Sequence, residues 1–514
     1  MNDRNRRDFL ADVGKGMLVA SLGPAIAADL GLSSAQAADA TDTLSFGPLE
    51  PLVALMQETP IDKLLPLLVK KMADGTDLKT LVAAGALANV RTFGGQDYVG
   101  YHSLMALAPA HEISKELPAD RRALPVLKVL YRNSQRIQEE GGRKKEVLHH
   151  IHDDEVPNEK PTGAALQAAT RKGDMVAAER VFAAQAKGTP SEAFNHLQFA
   201  IQDEVDVHRV VLSWRAWSLL DLTGPEQAHT LLRQSVRYCV QSEKYLIDNK
   251  RPVSGIRELL PKLLDQHKLV GRKAGTRQPD DAWVEHLCET VYGSSRDRAA
   301  EAVAAALAEG MSPEAIGEAI SLASNRLVLR DLGRVREEVG KPKGSVHGAS
   351  VGVHASDSAN AWRNIARVSD QRNAVASLIV GAYHTAGQSN GQSKQSFPLP
   401  EQLEKVTATD AATLIRETET AVKANDQARA CALAHQYGAQ GHAPRPLFDV
   451  LIRFAVSEDG ALHAEKYYRT VSEEFAAARP AFRWRHLEAL ARVTASEFGF
   501  AAPGYQEACR LLKV

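Results

Sequence analysis

Two segments of the chain set a histidine behind small residues. Tyr98-Val99-Gly100-Tyr101-His102 and Ser350-Val351-Gly352-Val353-His354 each read as a turn leading into a helix, with the imidazole near the helix start. There the helix dipole disfavours the protonated ring and keeps imidazole neutral, the form that binds a metal or acts as an electrophilic donor. The competing role is a packed histidine that satisfies a turn. His347, at the head of His347-Gly348-Ala349-Ser350, joins His102 and His354 as the candidate catalytic set.

A second pattern pairs an acid with a histidine. Glu204 and His208, and again Asp459 and His463, stand four residues apart, which on a helix stacks carboxylate and imidazole on one face. Such a pair supplies oxygen and nitrogen ligands for iron or manganese, or a base held by its orienting acid. Gly460 threatens the second helix, and the acidic first turn of an ordinary helix accounts for both pairs without any chemistry. Glu146 and His149 reproduce the Glu-x-x-His spacing of di-iron bundles, but no partner motif stands in register, and Pro157 and Pro161 favour a solvated loop. These six residues, Glu146, His149, Glu204, His208, Asp459 and His463, are the candidate metal ligands, with iron, manganese or copper as the implied ion. The glycines of His347–Ala355 offer a weak anion cradle; no strand precedes them, so they are not a nucleotide fingerprint.

The elements that must carry these residues read as helices throughout. Leu64, Leu65, Leu67, Leu68 and Met72 recur at helical spacing, and Ala299–Glu309 ends at Gly310 before Ser312-Pro313 opens the next helix. Alternating β-branched runs are scarce, so the expected fold class is all-α. The chain also matches itself at an offset that only grows, as insertions in a second copy would produce. Gly75, Ala84, Leu87, Ala88 and Arg91 fall on Gly310, Ala319, Leu322, Ala323 and Arg326. Val99, Gly100, His102 and Tyr131 fall on Val351, Gly352, His354 and Tyr383. Asp174 and Ala178 fall on Asp426 and Ala430, and Phe199, Ala200, His208 and Pro225 on Phe454, Ala455, His463 and Pro480. The expected organisation is a first helical copy at 48–250, a linker at 251–281 and a second copy at 282–514. The two would pack as one pseudo-symmetric body with a ligand cleft between them.

Residues 1–37 read as a twin-arginine signal peptide. Arg6-Arg7 precede Phe9-Leu10, an apolar stretch follows, and Ala35-Gln36-Ala37 offers a small-residue cleavage site. The expected location is therefore the periplasm or the exterior, with the twin-arginine export machinery as a partner. That route carries folded cargo, which raises the expectation of a bound cofactor. A net charge of −1 provides no basic field for nucleic acid, and no later apolar run is long enough to span a bilayer. The four cysteines form no CxxC pair.

The His347-Gly348…His354-Ala355 stretch resembles one in the questin oxidase-like proteins, as does His102 followed by Ser103-Leu104-Met105-Ala106-Leu107, and His463 is similar in placement to a histidine-bearing helix near their end. Copy one departs by carrying Gly95 where copy two has His347. The resemblance implies an all-helical, histidine-lined pocket and oxidative chemistry on a small-molecule substrate. The expected function is an exported helical oxidoreductase whose His102, His208, His354 and His463 line a pocket between the copies. The alternative is a non-catalytic helical binding or scaffold protein, in which the histidines serve packing alone.

Overall fold

Helix signals in the sequence become helices with the caps their residue types favour. A computed structural model describes residues 43–514, apart from 153–154, 157–160, 339–340, 347, 349 and 390. Residues 1–37, the expected signal peptide, and His347 lie outside the described residues. Asp77 caps the helix Leu78–Phe93 by accepting from the Thr80 N–H, and Gly94 closes it in the left-handed conformation, where a Cβ would be strained. Ser295 caps Arg296–Ala308, Gly310 (φ +81°) follows it, and Pro313 opens Pro313–Leu329. Among the described residues there are no strands; isolated bridges include Arg277–Met311, Glu338–Lys341 and Glu458–Ala501. The protein is all-α, and none of its described helices is long and apolar enough to cross a membrane.

Four helices position the candidate site: α1 (Tyr98–Glu116), α2 (Val207–Ser218), α3 (Val351–Val368) and α4 (His463–Ala477). They pack in a ring, α1 on α2, α2 on α3, α3 on α4 and α4 back on α1. Residues Leu44–Val514 form one compact unit, and one apolar cluster runs through it from Phe46 to Ala508. The stretch 251–281, expected as a linker, contains the helix Ile256–Gln266, which buries Ile256, Leu260, Leu263 and Leu264 against the helices Arg296–Ala308 and Gln371–Ala386. Its apolar residues recur at i, i+4, i+7 and i+8, the stripe of a packed helix.

One buried ion pair ties α4 to the first half of the chain. Lys128, on the helix Leu124–Glu139, places its ammonium 2.5 Å from Glu465 Oε1 and donates to the carbonyls of Ala455 and Glu458. Both side chains are fully buried. Burial raises the Glu465 pKa, and Lys128 opposes that rise. Removing one partner strands the other as an uncompensated charge. Lys128→Met should therefore destabilise the protein by about 3–5 kcal/mol, read from the denaturant midpoint. A loss below about 1 kcal/mol would mean that the pair behaves as a surface bridge.

Candidate imidazole site

Each of the four ring helices brings a histidine within its first five residues, so four helix N-termini meet at the imidazoles. His463 is the first residue of α4, His208 the second of α2, His354 the fourth of α3 and His102 the fifth of α1. The ring centroids lie 4.9 Å apart for His102 and His208, 5.0 Å for His102 and His463, 5.5 Å for His208 and His354, and 5.2 Å for His354 and His463. Tyr98 and Tyr101 cover the group from α1, 4.3 and 5.0 Å from the His102 ring. Tyr98 is 40% exposed and His102 only 2%, so the cluster sits one aromatic ring below the surface.

Local geometry decides which ring nitrogen faces inward. His102 Nδ1 lies 2.7 Å from the Tyr98 carbonyl oxygen, an acceptor, so Nδ1 carries the proton and donates. Its Nε2 is then a bare lone pair, buried and without a hydrogen-bond partner. His463 Nδ1 faces the carbonyls of Ala461 (3.0 Å) and Gly460 (3.3 Å), which likewise leaves the lone pair on Nε2. That Nε2 lies 3.2 Å from His354 Nε2. Ligand nitrogens of His102, His354 and His463 all fall within 4.8 Å of one another. Imidazoles bound at about 2.0–2.1 Å to a tetrahedral ion hold their nitrogens about 3.3 Å apart, which the His354–His463 pair matches at 3.2 Å. His208 Nε2 is also buried without a partner, at the edge of the trio.

Burial keeps His102 and His208 neutral. It pushes the His102 pKa well below 6.5, with Lys466, His208 and His463 adding to the effect, and it lowers His208 to about 4 against the opposing pull of Asp206. The phenols are held protonated as well: burial and then Asp206 raise Tyr101 and Tyr238 well above 10.

The expected acid partners lie elsewhere. Asp206, not Glu204, is the carboxylate beside His208. It caps α2 by accepting from the His208 and Arg209 N–H groups, and it takes the Tyr238 hydroxyl at 3.2 Å. Glu204 precedes that cap, so it shares no helical face with His208, and it accepts instead from the Ser254 N–H and Arg257. Asp459 fails for a related reason. A 3-10 turn with positive φ at Gly460, Ala461 and Leu462 separates it from α4, and its carboxylate lies 3.6 Å from Arg132 Nε. Glu146 and His149 are not helical, so their spacing has no common face; Glu146 pairs with the buried Arg91 (2.9 Å), and the His149 carbonyl accepts from Arg233. None of these four belongs to the imidazole group.

Sequence reasoning missed the layer beneath the rings. Lys466 follows His463 by three residues, Asp357 follows His354 by three, and Arg215 follows His208 by seven, all on buried faces. Charged residues on what would otherwise be apolar stripes were the available signal. Burial lowers Lys466 to about 8, with Asp357 opposing. Gly348 also has a packing role: a Cβ there would lie 2.5 Å from the His463 Cβ. No family model matches the chain, and no curated protein or solved structure matches it either.

Gly348→Ala must displace His463 or its own loop and should cost about 1–3 kcal/mol, measured by denaturant unfolding; an unchanged midpoint would show that the loop yields freely. Acid provides a second test. His208, His229, His384 and His486 are all lowered to about 4 from 6.5, chiefly by burial. The unfolded chain therefore binds protons at a higher pH than the native one, and the stability these groups supply is complete above about 6.5 and lost as pH falls toward about 4. The free energy of unfolding should drop between about pH 7 and about pH 5, less steeply in His208→Gln. A pH-independent stability over that range would contradict neutral burial.

Proposed function

We propose that the chain is an exported helical oxidoreductase whose four-imidazole cluster holds a transition metal beside a small-molecule substrate. The observation that carries the reading is the convergence of His102, His354 and His463, with two of their Nε2 lone pairs turned inward by carbonyl contacts at Nδ1. Three or four neutral imidazoles and no carboxylate in the trio suit copper or iron better than manganese, which prefers oxygen donors. His102, His354 and His463 would hold the ion, with His208 at an open edge. A metal bound there supplies one-electron and dioxygen chemistry. The protein's own part is to exclude bulk water, to fix the imidazole tautomers through backbone carbonyls, and to hold an aromatic substrate against Tyr98 and Tyr101.

The same reading includes an ancestral duplication, with the site at the junction of the two copies. Supporting it, Gly100 and Gly352 perform one task, since a Cβ at Gly100 would meet Phe93 at 2.5 Å and one at Gly352 would meet Val328 at 2.6 Å. Each therefore lets its histidine helix approach the preceding helix. Asp174 and Asp426 both cap helices, Ala178 and Ala430 are both fully buried, and Gly75 and Gly310 both have positive φ.

The test is metal analysis of the full chain produced with its own N-terminus. Stoichiometric copper or iron is expected, and His354→Ala combined with His463→Ala should abolish it while the helical circular dichroism persists. Metal-free, stable protein that takes up neither ion on titration would sink the metal reading and leave the binding-scaffold alternative.

A further inference from the structure

Beneath the imidazoles the charges do not balance. Lys466 and Arg215 are both buried, at 2% and 4% exposure. Neither ammonium nor guanidinium makes a hydrogen bond or ion pair among the described residues; their neighbours act on them only through space. Arg215 Nε is itself buried without a partner. The nearby carboxylates are already engaged. Glu465 is paired with Lys128, Glu473 accepts from Asn360 and Asn364 and pairs with Arg469, and Asp357 accepts from Thr470 at 2.8 Å. Asp357 acts on both cations, while Glu473 acts on Arg215 and Glu465 on Lys466 although each is already paired with another cation, so one positive charge is left over in a buried place. An uncompensated buried cation is costly in a folded chain, as a stranded ion-pair partner is.

The surrounding backbone adds to the excess. Four helix N-termini converge at the rings, each presenting the positive end of its dipole. Dipoles and cations together favour a negative ligand, and they would oppose a bare metal ion unless it arrived with an anion. A guanidinium and an ammonium that act on each other through space together suit the two oxygens of a carboxylate. Above them the rings of Tyr98 and Tyr101 offer flat apolar faces next to His102.

We propose that Lys466 and Arg215 bind the carboxylate of a small aromatic acid, which places the ring of that acid against the imidazole cluster. The inference names the substrate class of the site described above and rests on reading that cluster as the reactive centre. The leftover cation is then a binding residue whose partner comes with the ligand, and the fold bears its cost in the ligand-free state.

Calorimetry on the full, metal-free chain tests this with benzoate as probe and benzamide as its uncharged counterpart. Benzoate should bind and benzamide should not. Lys466→Met and Arg215→Leu should each weaken benzoate binding roughly tenfold or more. Lys466→Met should also raise the Tm of the ligand-free protein, because it removes a buried unpaired charge; a lysine with a structural role would lower it. Equal binding of benzoate and benzamide, no binding of either, or benzoate affinity untouched in a folded variant would each overturn the proposal. Should Lys466→Met fail to fold, Arg215→Leu carries the same readout. A parallel copper titration separates the two readings: metal uptake without benzoate binding sinks the carboxylate site alone, and benzoate binding without metal uptake sinks the metal centre alone.

Discussion

Four imidazoles can share one dehydrated point only if all of them are neutral, and that requirement governs the arrangement around them. Two charged rings about 5 Å apart would repel strongly in a low-dielectric interior. Desolvation removes the charge from His102 and His208. Carbonyls of Tyr98, Ala461 and Gly460 then hold the protons of His102 and His463 on the outward nitrogens. The result is a group of rings in which the Nε2 lone pairs of His102 and His463 face inward, with His354 Nε2 3.2 Å from that of His463.

The helices reach that point by close approach. Gly100 and Gly352 let α1 and α3 lie against the helices before them, and Gly348 lets its loop lie against His463. Buried charge completes the frame. Lys128 with Glu465 and Arg363 with Glu474 are compensated pairs that fix one helix on another. Lys466 and Arg215 differ from these because neither makes an ion pair among the described residues, and Asp357 serves both only through space. Two buried cations without an ion pair therefore lie close enough to the rings for Lys466 to act on His102.

Much of the helical framework was legible in the chain. Periodic leucines gave Ile61–Ala73, and Gly310 with Ser312-Pro313 marked a helix end and the next start. Those signals are local: a cap or a stripe depends on residues within one or two turns. His102, His208, His354 and His463 were also legible, because the proposed repeat pairs them and the turns before His102 and His354 are short. The acids beside them were not. Glu204 and Asp459 satisfied the i, i+4 rule only if the helix began before them, and helix boundaries depend on which residue caps. Asp206 took that role at α2, and a left-handed turn broke the chain ahead of α4.

By itself, then, the amino-acid order determined an all-helical chain, the residues able to start and stop its helices, and which histidines were worth comparing. It did so because those properties are written over short spans. Tertiary structure alone decided that the four rings meet, that Asp206 and not Glu204 stands beside His208, and that Lys466 and Arg215 share a buried layer with Asp357. Such facts depend on the packing of helices more than a hundred residues apart in sequence, and no local pattern specifies which faces will be brought together.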